Sequence, residues 1–190
     1  MRVKCISNKG SLLPSAVLDE KSGFTTKTTF DLVVSKEYVV YGIVFFRGYP
    51  WYYLFDEGSS YYPRWNPAPL FEVVDSRLSR YWRYSYSPDS LRPPGELLIT
   101  YREWVEDPYY YDKLTDGESK ELDIFKAYKA KIDLEFPDPT VLPSATFLGD
   151  SWVMCTNCDE SWQVDEKQGM TRCPGCQTIM HNPYYDDQEG

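Results

Sequence analysis

Four cysteines near the C-terminus, Cys155, Cys158, Cys173 and Cys176, constrain this chain more than any other feature. They form two Cys-x-x-Cys pairs, separated by the 14 residues Asp159–Arg172. A Cys-x-x-Cys turn brings two sulfurs to one side of a metal, and a hairpin of suitable length brings a second pair opposite the first. Zinc takes four ligands at the corners of a tetrahedron, with Zn–S near about 2.3 Å. The intervening residues read as the hairpin: Ser161–Val164 outward, Asp165–Gly169 turning, Met170–Arg172 returning. The usual gap is about 15–20 residues, so this one lies just below it. Four thiolates leave no coordination position for water, so the expected zinc is structural and not catalytic. Iron also accepts four thiolates, and redox-active thiols are a further alternative. The paired spacing favours closed structural zinc.

Residues 151–182 resemble the zinc ribbon, a family of small β modules with two metal knuckles. Cys173-Pro174-Gly175-Cys176 is similar to the rubredoxin-type knuckle, Cys-Pro-x-Cys-Gly, with Gln177 in place of the last glycine. The first knuckle is followed by Asp159, again not glycine. The resemblance implies a zinc-held β module at the end of the chain and leaves the other residues without a family. Many zinc ribbons touch nucleic acid. Here residues 151–190 carry seven acids against Lys167 and Arg172, and four thiolates around Zn²⁺ add further negative charge, which opposes that use.

The whole chain has the same sign. Its 190 residues carry a formal net charge of −9. Nucleic-acid binding rests on Lys and Arg releasing counterions, and no basic run is present, so a protein partner, of basic character, is the better expectation. Aromatic residues make up 17% of the chain, with 17 tyrosines. That excess favours recognition, because a tyrosine has a large apolar face and a polar tip. The alternative is a β-rich domain with tyrosine-lined strands. No leader and no apolar stretch of about 20 residues is visible. A cytoplasmic, membrane-free location is therefore expected, and reduced thiols there suit a metal better than disulfides.

Residues 1–87 read as strand after strand. Arg2–Ser7, Thr29–Val34, Trp51–Phe55, Leu70–Val74 and Tyr81–Tyr86 have β character, and Gly10–Lys27 reads as a long loop. Glu37–Phe46 (EYVVYGIVFF) reads as a central strand buried on both faces. Short strands joined by turns suggest a small antiparallel barrel, SH3-like in form. Ser87–Pro94 reads as a linker, and 95–136 as a helical segment packed on the barrel. Thr100 with Glu103 and Thr115 with Glu118 have capping-box spacing. Asp107-Pro108 looks like an N-cap followed by a first-turn proline. In the clearest helix, Leu122, Phe125, Tyr128 and Ile132 share a face, and Lys129 falls within that stripe. Residues 137–150 read as a tether and 151–190 as the ribbon. The expected fold class is α+β: a small β-barrel with packed helices and a C-terminal zinc ribbon.

His181 is the sole histidine and reads as incidental once four cysteines are present. Cys5 reads as a buried small apolar side chain. No nucleophile elbow, P-loop, dinucleotide fingerprint or zincin motif occurs, so a non-enzymatic role is expected. Tyr61, Tyr62 and Trp65 cluster among prolines and read either as a groove for an extended peptide or as a rigid packing loop. Trp82 and Tyr84 alternate with Tyr86 and read as an aromatic strip. Tyr109, Tyr110 and Tyr111, close after Trp104, read as helix packing with a possible exposed excess. The make-up resembles small bacterial or phage accessory proteins, including immunity proteins that neutralise basic toxins. A transcription-associated ribbon and a carboxylate-based enzyme are the second and third readings.

Overall fold

The apolar run Glu37–Phe46, expected as one strand, is shared between two sheets in the computed structural model. Its first part, β2 (Glu37–Val39), pairs with β1 (Arg2–Cys5), which pairs in turn with β6 (Phe71–Asp75). Its second part, β3 (Gly42–Phe46), joins β4 (Tyr49–Leu54), β5 (Arg64–Pro67), β7 (Trp82–Ser87) and β8 (Glu96–Tyr101) in the order β5-β4-β3-β8-β7. Both sheets are antiparallel. The crossing point is pinned to both: Val40 N–H donates to Met1 O at 3.1 Å and Tyr41 N–H to Tyr53 O at 2.8 Å. The chain changes sheet again at the 3-10 turn Ala68–Leu70, between β5 and β6.

The structure describes residues 1–46, 48–87, 96–137 and 142–185. They fall into two units, Met1–Phe136 and Pro137–Gly190. Residues 88–94 of the expected linker and 138–141 of the expected tether lie outside the described residues. Among the described residues there is no closed barrel, and the SH3-like expectation gives way to two open sheets. One reason is β8, which lies in the segment expected to be helical and inserts between β3 and β7. Thr29–Val34 forms no strand either. It lies against the fold as a loop, with Phe30 N–H donating to Asn8 O at 2.9 Å and Phe30 and Leu32 buried.

Among the described residues three α-helices follow: α1 (Arg102–Glu106), α2 (Tyr110–Thr115) and α3 (Ser119–Glu135). Neither expected capping box forms. Thr100 is a fully buried β8 residue whose hydroxyl donates to Tyr41 O at 2.9 Å, and α1 starts without a side-chain cap. Thr115 ends α2, its hydroxyl donating to Asp112 O at 2.8 Å, and α3 also lacks a side-chain cap. Asp107 follows α1, and its carboxylate accepts from Tyr109 N–H at 2.9 Å in the turn to α2. On α3, Phe125 and Ile132 are buried, with Leu122 and Tyr128 partly buried against the same core. Lys129 reaches out of that stripe to Asp133 at 2.6 Å while its ammonium lies over the Tyr41 and Phe55 rings.

The strand buried on both faces is β4. Tyr52 packs on Phe71 of the small sheet, whereas Trp51 meets Phe24 and Trp65, and Tyr53 meets Trp104 and Tyr111. Much of the tyrosine excess is therefore core. Burying a phenol requires a partner for its hydroxyl, and two of these tyrosines supply each other. Tyr101 OH donates to Tyr110 OH at 2.9 Å, and Tyr110 OH donates to Glu121 O at 2.9 Å. Burial pushes both phenols above their ordinary pKa. Tyr110→Phe should cost about 1–3 kcal/mol, because it removes one hydroxyl and orphans another in a dry core. Tyr109→Phe, at an exposed position, should be neutral. Urea denaturation of both variants checks the contrast.

Candidate metal centre and aromatic surfaces

The second unit is built of very short strands: β9 (Thr146–Gly149), β10 (Trp152–Met154), β11 (Ser161–Gln163), β12 (Met170–Arg172) and β13 (Ile179–His181). β10 pairs with β9 and β11, and β12 pairs with β13. This corrects the expected hairpin, since β11 and β12 are not partners. Each Cys-x-x-Cys is instead the turn of its own hairpin, Cys155–Cys158 between β10 and β11, and Cys173–Cys176 between β12 and β13.

The two turns repeat one hydrogen-bond pattern. Cys155 N–H donates to Glu160 O at 2.8 Å, and Cys173 N–H to Thr178 O at 2.9 Å. Asp159 N–H returns to Cys155 O, and Gln177 N–H to Cys173 O, both at 3.1 Å. Amides also point at sulfur, from Asn157 to Cys155 Sγ at 3.4 Å and from Cys176 to Cys173 Sγ at 3.5 Å. Asp159 and Gln177 have φ values of 60° and 64°. This left-handed region is where glycine is at ease, which explains the glycine of the rubredoxin-type pattern. Here two side-chain-bearing residues occupy it instead. Gln177 offsets part of the cost through its Nε2, which donates to Pro174 O at 2.9 Å.

The four sulfurs lie within 4.8 Å of one another. Cys155 Sγ is 3.5 Å from Cys176 Sγ, and Cys158 Sγ is 3.6 Å from Cys173 Sγ, so each contact joins one turn to the other. Such a cluster can hold a metal ion, and its all-sulfur donor set suits zinc. Cys155 and Cys173 are buried, while Cys158 and Cys176 are exposed. The Thr178 side chain, and after it that of Asn157, pull the Cys176 thiol below its ordinary range, while the neighbouring sulfurs push Cys158 up, because the clustered thiols share their protons. The donors around Cys176 favour the thiolate that a metal requires.

Sequence reasoning passed over the residues that hold the two hairpins together. Trp162 Nε1–H donates to Thr171 Oγ1 at 2.9 Å, from β11 to β12. Asn182, buried, donates through Nδ2 to Asp165 O at 3.0 Å and Gln168 O at 2.8 Å, fixing the turn before β12. An asparagine six residues past a cysteine carries no recognisable signal. His181 serves through its backbone, donating to Pro143 O and accepting from Ala145 N–H.

The aromatic candidates do not form one surface. Trp65 on β5 and Tyr84 on β7 belong to opposite edge strands of the five-stranded sheet. Trp82 is in the core, 7% exposed, so the expected strip loses its first member. Tyr84 is 78% exposed and shares a concavity with Arg83, Arg102 and Glu106. Tyr61 is exposed, with its ring 5.1 Å from that of half-buried Tyr62 and its hydroxyl donating to Thr115 O at 2.7 Å. Among the described residues, no helix is long and apolar enough to cross a membrane. In comparisons with known proteins, the chain matches no family model, no curated protein and no solved structure.

Gln177→Gly should stabilise the metal-loaded module by about 0.5–1 kcal/mol, since relief of left-handed strain outweighs the added freedom of the unfolded chain. Asp159→Gly should gain less, because aspartate tolerates that conformation better. Thermal melting at saturating zinc measures both. Cys173→Ser should lose the metal and unfold residues 142–185 without unfolding Met1–Phe136, which has its own core. Heteronuclear NMR reads the two sets of amides separately.

Proposed function

We propose that this chain is a non-enzymatic protein that binds a basic protein partner and keeps its C-terminal module folded around one structural zinc. The observation that carries the reading is aromatic surface left over after the core is filled. Tyr84 and Tyr86 are 78% and 59% exposed, and Tyr61 and Tyr109 are also exposed, on a chain of net charge −9. Exposed tyrosine supplies contact area at little entropic cost and is favoured at interface hot spots. Net negative charge steers a basic partner and repels phosphate backbones. A metal held by four thiolates has no open position for substrate, which supports a structural role. The biological role that suits these properties is that of a bacterial or phage accessory protein, an immunity-type inhibitor that neutralises a basic toxin.

A second reading has one specific observation in its favour. Arg83 and Arg102 flank Tyr84 around a concavity of about 500 Å³, and such a basic-aromatic pairing suits single-stranded nucleic acid. Arg102 is already paired with Glu106 at 2.7 Å, which reduces the charge on offer.

Affinity capture from the native host, with mass spectrometry and then calorimetry on the purified pair, tests the proposal. The expected result is a stoichiometric complex with a protein of high isoelectric point, weakened by Tyr84→Ala or Tyr61→Ala. Recovery of nucleic acid alone, with binding that falls steeply with salt and with Arg83→Ala, would replace it with the second reading.

A further inference from the structure

The first unit also has a cavity of about 490 Å³ between the 24–31 loop, β5 and α2. Its walls include the rings of Phe24, Tyr62, Trp65 and Tyr111, and its polar groups include Asp31, Asp56 and Arg64. Two carboxylates face one guanidinium among the lining groups, an excess of one negative charge there, and the Lys9 ammonium sits at the rim, donating to the Thr29 hydroxyl at 3.3 Å.

The two carboxylates have different duties. Asp56, whose side chain is only 2% exposed, is engaged on both oxygens. Oδ1 accepts from Gly58 N–H, the Ser59 hydroxyl and Arg64 Nη1, and Oδ2 accepts from Asn66 Nδ2. It fixes the turn and the wall. Asp31 has a 56% exposed side chain and gives only Oδ2, to Arg64 Nη1 at 2.8 Å. Among the described residues its Oδ1 has no hydrogen-bond partner. Its backbone is held, because Asp31 O accepts from Glu57 N–H at 2.8 Å and its neighbours Phe30 and Leu32 are buried. Gly58 completes the arrangement. A Cβ there would collide with the Arg64 guanidinium and the Asp31 carboxylate, so glycine lets the ion pair sit against the turn.

A fixed carboxylate with a free oxygen, beside aromatic faces in a net-negative hollow, suits a planar cation. Guanidinium stacks on Trp and Tyr rings and binds carboxylates through paired donors, whereas a lysine ammonium lacks the flat face. We propose that this cavity receives an arginine side chain of the protein partner, stacked against Tyr62 and Trp65 and paired with Asp31 Oδ1. The proposal deepens the protein-partner reading and rests on it.

Capped Gly-Arg-Gly, Gly-Lys-Gly and Gly-Glu-Gly peptides, titrated into the full zinc-loaded chain and followed by NMR, test it. The arginine peptide should shift the Trp65 indole N–H and the Tyr62 ring and bind more tightly than the lysine peptide, with the glutamate peptide inert. Asp31→Asn should weaken it about tenfold, the loss of one charge-assisted hydrogen-bond pair. Glu72→Gln, removal of an equal charge at an exposed acid of β6, should leave it unchanged. If Asp31→Asn fails to fold, Thr29→Lys, a new cation at an exposed wall position, should weaken binding likewise. Shifts confined to other residues, equal weakening by Asp31→Asn and Glu72→Gln, or no shift at all would overturn the site. A captured basic partner that ignores Asp31→Asn would overturn the site and keep the broader reading. Asp31-dependent arginine binding in a chain that captures no protein would do the reverse.

Discussion

The second unit depends on the point where its two hairpins meet. Among the described residues its buried cluster consists of Ala145, Val153, Cys155, Cys173 and Met180, so two of these five are themselves sulfur donors. Fully burying a valine or methionine contributes about 1.5–3 kcal/mol, while ordering one backbone residue costs about 1–2 kcal/mol. So small a core cannot hold strands of three or four residues. A structural zinc contributes roughly 10–16 kcal/mol in comparable modules, and a metal held by this cluster would act where Cys155 meets Cys176 and Cys158 meets Cys173. The knuckle hydrogen bonds, the left-handed Asp159 and Gln177, and the Asn182 clamp then position donors for that one cross-link.

What could be read from the sequence was chemistry set by neighbours in the chain. Cysteine spacing depends on local turn geometry, and the sulfurs do converge. Strands such as β4, β6 and β7 announce themselves by β-branched and aromatic residues. What could not be read was strand partnership. The division of Glu37–Phe46 at Val40 depends on Met1 and Tyr53, both distant in the chain. The strand β8 was hidden because Thr100 and Glu103 mimic a helix start, and only burial against Tyr41 reveals that Thr100 is a sheet residue. The Cys-x-x-Cys turns are legible, but the pairing of β12 with β13 is not, since β13 lies beyond the segment between the cysteine pairs. Trp82 and Tyr84 alternate on an edge strand, and the sequence does not say where along it the core stops.

The functional reading follows from what the core leaves unused. Tyr101, Trp104, Tyr110 and Tyr111 are consumed by packing around α1 and α2. Tyr84, Tyr86 and the Tyr62–Trp65 cavity are not, and they lie on opposite edges of the same sheet. One edge joins aromatic rings to spare carboxylate, the other joins them to arginine. The acidic chain as a whole favours the first as the place where the proposed basic partner would be recognised.

X-ray absorption at the zinc edge on the purified full chain reads the ligand set of the cysteine cluster itself. The expected result is one zinc per chain with four sulfur scatterers at about 2.3 Å and no lighter ligand. A nitrogen or oxygen in the coordination shell, or a fully folded second unit in a chain that carries no metal, would contradict it.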